Sequence, residues 1–302
     1  MIELKNYPNL KELEIVNDEF DEELKNLPEG LKELKIWKCN NFNQKLDNLP
    51  EGLKELKILS IKFNQELDKL PEGLVVLKIN SEFNQALDKL PLGLKVLKIN
   101  SLNFNQELNN LPEYLEVLEI DYCNEFDKKL NNLPVGLKVL KIDSVGFNEE
   151  LDNLPRSLKV LKIKSMYFNE GLSFLPLDLR ELKLEDCKIF NEQLDFLPEC
   201  LEVLKIENCD RFNKELDNLP ESLKLLKIDS NNFNKELDNL PKGLEVLEIG
   251  GYNFNKKLDN LPLSLKKLYI KIEYLEYFSL EEVLGMIPLG CELYVNRKKI
   301  DL

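Results

Sequence analysis

The sequence of 302 residues contains no histidine. It therefore lacks the side chain that most often acts as a general base and as a nitrogen ligand of zinc. Its six cysteines form no Cys-x-x-Cys pair and lie too far apart in sequence for a clustered metal site. No glycine-rich phosphate loop and no Gly-x-Ser-x-Gly motif occurs. These absences predict a protein that is not an enzyme and that uses no catalytic residue, metal or cofactor.

A basic excess is missing as well. The net charge of −14 argues against binding to nucleic-acid phosphates. No stretch approaches the ~18 consecutive apolar residues that span a bilayer, and the first residues show no apolar signal-peptide segment. We therefore expect no nucleic-acid partner and no membrane association. We also expect a cytoplasmic protein that is not secreted, with its thiols kept reduced.

No linker rich in proline, glycine or serine divides the chain. With 43% hydrophobic and 32% charged residues, the composition is that of a folded protein. A single core rarely keeps growing beyond ~250–300 residues. The chain is therefore expected to be either two domains or a repeat array, and the missing linker favours the array.

Leu-Pro pairs provide the repeat signal. Twelve of them occur at intervals of 20, 21 or 22 residues, a period typical of a solenoid. Their prolines are Pro28, Pro50, Pro71, Pro91, Pro112, Pro134, Pro155, Pro176, Pro198, Pro220, Pro241 and Pro262. Every length change falls between the final Ile (or Leu) of one repeat and the Phe of the next, which marks that stretch as a loop.

The shared pattern is Phe-Asn-x-x-Leu-x-x-Leu-Pro-x-x-Leu-x-x-Leu-x-Ile. One copy consists of Phe63, Asn64, Leu67, Leu70, Pro71, Leu74, Leu77 and Ile79. In its last part, Leu77 and Ile79 alternate with Val76 and Lys78, which predicts a strand with one buried face. The ten or so remaining residues are too few for a helix, so an extended or 3₁₀ return segment is expected. The Asn after Phe is expected to cap the tight turn there.

The predicted fold is a leucine-rich-repeat-like solenoid. A curved parallel β-sheet of about 13 strands would form its concave face, and the return segments its convex face. Residues 1–270 are assigned to the repeats and 271–302 to a C-terminal cap. In that cap, the capping box Ser279-Leu280-Glu281-Glu282 predicts a short helix to about Met286. Residues 292–295 and 298–300 predict a hairpin turning at Asn296 and Arg297.

The Phe-Asn, Leu-Pro and Leu-x-x-Leu-x-Ile elements together resemble the FNIP repeat family, a relative of leucine-rich repeats known chiefly from amoeboid protists and giant viruses. The resemblance covers roughly residues 4–270. Phe20-Asp21 and Phe126-Asp127 depart from it, although Asp can cap as Asn does. It implies an interaction module. Some members resemble substrate receptors with an F-box before the repeats; here Leu4 and Pro8 already match the repeat spacing, which weakens that interpretation.

Four cysteines share one repeat position, three residues after the last apolar residue of a strand. They are Cys39, Cys123, Cys187 and Cys209. Counted forward from the last apolar residue of the strand, the same position is occupied by Ile61, Leu102, Val145 and Met166 in repeats with shorter loops. This pattern predicts a half-buried apolar column rather than a metal or redox site. Cys200 and Cys291 are expected to be unpaired.

The side of the strands opposite the core is the expected binding face. Its N-terminal part stacks lysines beside the only tryptophan, and no acidic column accompanies them there as it does from Asp121 onward. The predicted contact residues are Lys35, Trp37, Lys57, Leu59, Val76, Lys78, Val96 and Lys98. Aromatic residues flanked by cations are typical interface anchors. The same columns also fit a sheet that is merely β-prone and kept soluble by its lysines.

The predicted function is a non-enzymatic interaction scaffold that binds a protein with acidic and apolar side chains on the concave face. The alternative is a structural component that stacks end to end. The C-terminal cap has no visible counterpart at the N-terminal end, so self-association there remains open.

Overall fold

The computed structural model describes residues 7–271 and 285–300. The chain forms two compact halves, Met1–Phe147 and Asn148–Leu302. The described residues contain strands, turns and extended segments, and no helix of any type. Of the two conformations expected for the return segments, extended and 3₁₀, the described segments adopt the extended one, interrupted by turns.

The described part of the N-terminal half, residues 7–147, contains seven strands. They are β1 (Glu12–Ile15), β2 (Glu33–Trp37), β3 (Glu55–Leu59), β4 (Val76–Asn80), β5 (Val96–Asn100), β6 (Val117–Asp121) and β7 (Val139–Asp143). Each pairs in parallel with the next, in the register of the repeat. The predicted one-strand-per-repeat architecture is confirmed here.

The C-terminal half repeats this arrangement. Its strands are β8 (Val160–Lys164), β9 (Glu181–Glu185), β10 (Val203–Glu207), β11 (Leu225–Asp229), β12 (Val246–Gly250), β13 (Lys267–Lys271), β14 (Glu292–Val295) and β15 (Lys298–Ile300). All successive pairs are parallel except β14–β15, the antiparallel hairpin that the sequence predicted. Asn296 and Arg297 turn it with φ of 47° and 67°. The helix predicted from Ser279 falls mostly outside the described residues, and the described remainder begins with a turn.

The core of each half is a set of columns, one side chain per repeat. Phenylalanines stack between neighbouring repeats with ring centroids 5.6–6.3 Å apart and nearly parallel planes. Each internal strand buries its Leu and its Ile (Leu in β9) within the same core. Because a repeat's apolar side chains are covered only by its neighbours, burial worth ~1.5–3 kcal/mol per side chain depends on the stack.

The prolines open turns rather than extended stretches. In all thirteen Pro-x-x-(Leu/Cys) segments, the backbone N–H three residues after the proline donates to the proline carbonyl at 2.9–3.1 Å. Proline needs no donor of its own and its carbonyl closes the turn. This turn delivers the chain into the next strand at the same position in every repeat.

The asparagines after phenylalanine bind between repeats, and the prediction that they cap their own turn was wrong. Asn43 Oδ1 accepts the backbone N–H of Asn64 at 3.0 Å, and Asn64 accepts that of Asn84 at 2.9 Å. The same bond recurs along both halves. Asp21 accepts the N–H of Asn43 at 2.9 Å, so the aspartate variant keeps the bond.

The predicted cysteine column was aligned with the wrong residues. Cys39 is fully buried, whereas Ile61, assigned to the same column, is 53% exposed. The buried counterpart is Ser60, because both residues lie three positions before phenylalanine. The longer loops insert their extra residue before the cysteine. That residue takes a left-handed φ of 53–55° at Lys38, Tyr122, Asp186 and Asn208. This left-handed turn brings the following cysteine to the position that serine occupies in the repeats with shorter loops.

Candidate partner-binding face

The eight predicted contact residues lie on one side of β2–β5, opposite the core. We call this side the open face. The register places Trp37 beside Leu59, Leu59 beside Asn80, and Asn80 beside Asn100. One lysine lies two residues before each of these positions in the same strand. The four lysines are Lys35, Lys57, Lys78 and Lys98.

Five of the eight residues surround one depression. Its volume is about 250 Å³, and its side-chain lining includes Trp37, Lys57, Leu59, Lys78, Asn80, Lys98, Asn100 and Asp121. Lys35, Val76 and Val96 lie on the same face outside this lining. Trp37 is 40% exposed, although tryptophan is usually well covered. The depression therefore combines an accessible aromatic ring with cationic and amide groups.

The lysines are not as isolated as the sequence suggested. Glu33 Oε1 lies 3.0 Å from Lys35 Nζ and 2.9 Å from Lys57 Nζ, and Glu55 lies 2.9 Å from Lys57. The hydrogen bond from Lys57, followed by that from Lys35, lowers the pKa of Glu33. The bond to Glu33 likewise raises the pKa of Lys57. The expectation that no acidic side chain accompanies these lysines was wrong, because Glu33 and Glu55 stand two residues before the lysines of β2 and β3, and Glu55 also reaches Lys78 in β4.

An excess of positive charge nevertheless remains on the open face. The faces of β2–β5 carry four lysines and two glutamates, which leaves two positive charges in a chain of net charge −14. Lys78 is the least neutralised of the four. Its ion pair with Glu55 spans 3.5 Å, and 40% of its side chain is exposed. An anionic group on a partner would find its counter-charge at Lys78.

Glu119 closes the positive region at β6. It is only 6% exposed and bridges Lys98 and Lys141 at 2.6 and 2.5 Å. Burial alone would raise the pKa of Glu119, but the two ion pairs outweigh it and leave the pKa below its usual value. Burial raises the pKa of the neighbouring Asp121, and the Glu119 carboxylate adds to this effect. The positive region of the open face therefore ends at these two β6 carboxyl groups.

Asn80 and Asn100 have side-chain amides with no hydrogen-bond partner among the described residues. The equivalent positions in the C-terminal half are used differently. There Glu185 and Glu207 bind Lys183, each at 2.8 Å, and Asp229 binds Lys271 at 3.0 Å. The open face thus keeps free amides where the other half has ion pairs.

The cysteines do not form a site. Burial raises the pKa of Cys123 to about 12, which leaves its thiol protonated and unreactive. Contact with Cys187, followed by burial, raises the pKa of Cys209. The residues 7–271 and 285–300 contain no group of three His, Cys, Asp or Glu side chains placed to hold a metal ion. Within the same residues, no helix is long and apolar enough to cross a membrane.

A second exposed apolar group escaped the sequence interpretation. Phe174 and Phe196 are each 70% exposed, and Leu177 is 79% exposed. The two phenylalanines occupy the position two residues before proline, which is otherwise Asn or Lys. That break in an otherwise polar column is the signal that could have revealed them.

The fold defines a class of protein, a leucine-rich-repeat-type β-solenoid. The FNIP repeat model matches residues 212–250 and 233–271. The crystal structure of CroV588, described as a novel circular leucine-rich-repeat protein, is 27% identical and superposes with a TM-score of 0.73 over 96% of this chain. This chain spans about half (47%) of the length of that protein. No curated protein matches the sequence.

A second solved structure has lower identity. It is the octameric complex of Latrophilin 3, Unc5D and the leucine-rich repeats of FLRT2, with 16% identity and a TM-score of 0.59. The match covers 91% of this chain and 86% of that one, and it shows the fold alone. Residues 212–271 thus match FNIP repeats, and the chain is similar to leucine-rich-repeat proteins in its fold.

Proposed function

We propose that this protein is a non-enzymatic interaction scaffold that binds a partner protein on the open face of β2–β5. The observation that carries the proposal is the depression at Trp37, where the only tryptophan of the chain, a positive excess and two free amides meet. Partly exposed aromatic residues beside cations are typical anchors of protein interfaces. The partner is expected to carry acidic and apolar side chains.

The class of fold supports this proposal. Solenoids of stacked repeats provide extended surfaces, and leucine-rich-repeat proteins commonly serve as interaction scaffolds. The similar repeats of FLRT2 occur in a complex with two other proteins. Repeat solenoids generally provide binding surfaces rather than catalytic sites.

Affinity capture from a lysate of the source organism tests the proposal. The bait is compared with Trp37→Ala/Lys78→Asn, which removes the ring and the least neutralised lysine while sparing Lys57, whose ion pairs hold the strands. The matched control is Phe174→Asn/Phe196→Asn, which removes exposed aromatic rings elsewhere. Circular dichroism first verifies that all three proteins are folded.

The expected result is a set of proteins retained by the wild type and the control and lost by the open-face variant. Identical retention by all three baits would contradict the assignment of the site. Loss confined to the control would move the site to the exposed phenylalanines.

Self-assembly is the second candidate, and the first described strand favours it. Leu13 and Ile15 in β1 are only half-buried, as is Phe20, whereas their counterparts in the next repeat are fully buried. A second copy could cover these side chains. Light scattering after size exclusion should then give a multiple of the 35.3 kDa chain mass, and a monomer at all concentrations would contradict self-assembly.

A further inference from the structure

We propose that the open face recognises an extended peptide segment that crosses β2–β5 and carries an apolar side chain two residues away from a carboxylate. This inference rests on the proposed function and adds the chemistry of the bound segment. It follows from three features of the depression: its unpartnered amides, its spacing and its charge.

The free amides match a peptide backbone. Asn80 and Asn100 are neighbours in the register of β4 and β5, and both line the depression. An asparagine side chain offers one acceptor oxygen and two donor hydrogens. A peptide group presents the complementary N–H and C=O. Two such amides on adjacent strands can hold the main chain of an extended segment whatever its sequence.

The spacing sets which side chains of that segment face the protein. Adjacent strands lie ~4.8 Å apart. From the midpoint of Trp37 and Leu59, Lys78 stands one and a half strand steps across the sheet, or roughly 7 Å, and two residues back along its strand, or roughly another 7 Å, so the two backbone positions are roughly 10 Å apart. In an extended peptide, residues i and i+2 point to the same side and lie ~6.8 Å apart. One side chain on the Trp37–Leu59 surface therefore places the next one but one over Asn80, within reach of the ammonium group at the end of the flexible four-carbon Lys78 side chain.

The charges that line the depression determine the chemistry of the second side chain. Lys78 has only a 3.5 Å contact with Glu55, whereas Lys57 is held by two glutamates at 2.9 Å. An acidic group at Lys78 would gain an ion pair without breaking a close one. Further along, Glu119 and Asp121 would repel a carboxylate, so the acid is confined to the Lys78 side of the depression. The apolar side chain belongs on Trp37 and Leu59.

A displayed library of random twelve-residue peptides tests the spacing, with the full chain as bait and Trp37→Ala as the reference. We expect enrichment of peptides with an aliphatic or aromatic residue separated by one residue from Asp or Glu. Enrichment of another pattern, or none above the reference, would overturn the inference. If Trp37-dependent capture of lysate proteins persisted in either case, the proposed function would stand. If Trp37-dependent capture also failed, both the inference about the peptide and the proposed function would be refuted.

A defined peptide tests the acid contact. The probe is the synthetic peptide Gly-Ser-Leu-Ser-Glu-Ser-Gly, followed by the emission of the single tryptophan, with a second peptide carrying Gln in place of Glu. Lys78→Gln and the Gln peptide should each weaken binding up to about fivefold, as an exposed ion pair does. Together they should weaken it no further than either alone.

The amides are tested in the same titration. Asn80→Ala/Asn100→Ala should weaken the Glu and Gln peptides by the same factor, about fivefold or more, because it removes main-chain bonds. Independent effects of Lys78→Gln and the Gln peptide would overturn the acid contact. Unchanged binding by the alanine variant would overturn the extended pose.

Discussion

Replacing Ser60 and Ser81 by alanine, one at a time, should change the stability of the N-terminal half in opposite directions. Both hydroxyls are buried beneath the loops that follow β3 and β4. Ser60 Oγ donates to the carbonyl of Phe42 at 2.8 Å, and Ser101 makes the same bond to Phe83 at 2.8 Å. Ser81 lies in the loop that is one residue shorter, and its Oγ has no partner.

The expected magnitudes follow from these contacts. Ser60→Ala removes a hydrogen bond worth roughly 0.5–1.5 kcal/mol and leaves a buried carbonyl without that donor, so a total loss of about 1–2 kcal/mol is expected. Ser81→Ala removes no bond and relieves the desolvation of a lone hydroxyl. A gain of up to about 1 kcal/mol is therefore expected. Each substitution removes one hydroxyl oxygen atom and nothing else.

Urea unfolding followed by circular dichroism measures the difference. The urea midpoints of two variants are compared only where the unfolding free energy depends on urea with the same slope, because long repeat arrays can lose cooperativity. Ser101→Ala serves as the control and should match Ser60→Ala. An equal loss of stability for Ser81→Ala would refute the assignment of its hydroxyl as unsatisfied. It would also contradict the inference that the shorter loop after β4 leaves Ser81 without the hydrogen bond that Ser60 makes.

Three further outcomes are expected. Glu119→Gln should cost about 1–2 kcal/mol at pH 7, because it weakens two ion pairs of a buried carboxylate. Since the folded pKa of Glu119 lies below its usual value of 4.5, the contribution is complete above that pH and should disappear as the pH falls below it. Iodoacetamide should label Cys200 first in the native protein, because it is the exposed thiol, and all six cysteines after denaturation. Iodide should quench Trp37 fluorescence more than caesium does, despite the net charge of −14, because the surrounding open face is positive.

Each of these outcomes has a contrary result. An unchanged difference between wild type and Glu119→Gln from pH 7 to pH 3 would show that the carboxylate is not held by its lysines. Rapid native labelling of Cys123 would contradict its burial. Stronger quenching by caesium would show that the acidic surroundings dominate at Trp37.

Much of the fold could be predicted because the repeat supplies the same information many times. The alternation of Leu77 and Ile79 with exposed positions recurs in each copy, so the strands and their parallel register follow from the period. The hairpin at 292–300 was predicted from its turn residues. What the period cannot supply is the alignment of loops of unequal length. There the left-handed residue before Cys39 moved the cysteine into the position held elsewhere by Ser60.

That the eight predicted contact residues share one face follows from the sequence, but the electrostatics of that face do not. All eight predicted residues share one face because side-chain direction follows strand alternation. The pairing of Glu33 with Lys57 depends on how far each side chain reaches across neighbouring strands, which spacing alone does not give. For the same reason the free amides of Asn80 and Asn100 emerged only from the structure, where their counterparts are seen to be ion-paired.

Photo-cross-linking tests the central claim most directly. A photoreactive phenylalanine derivative is placed at Glu82, an exposed residue two positions beyond Asn80, and in a separate protein at Phe196 in the C-terminal half. A partner bound on the open face predicts a discrete cross-linked protein from the lysate at position 82, abolished by Trp37→Ala and absent at position 196. A product at position 196 alone, or one at position 82 that survives Trp37→Ala, would contradict it.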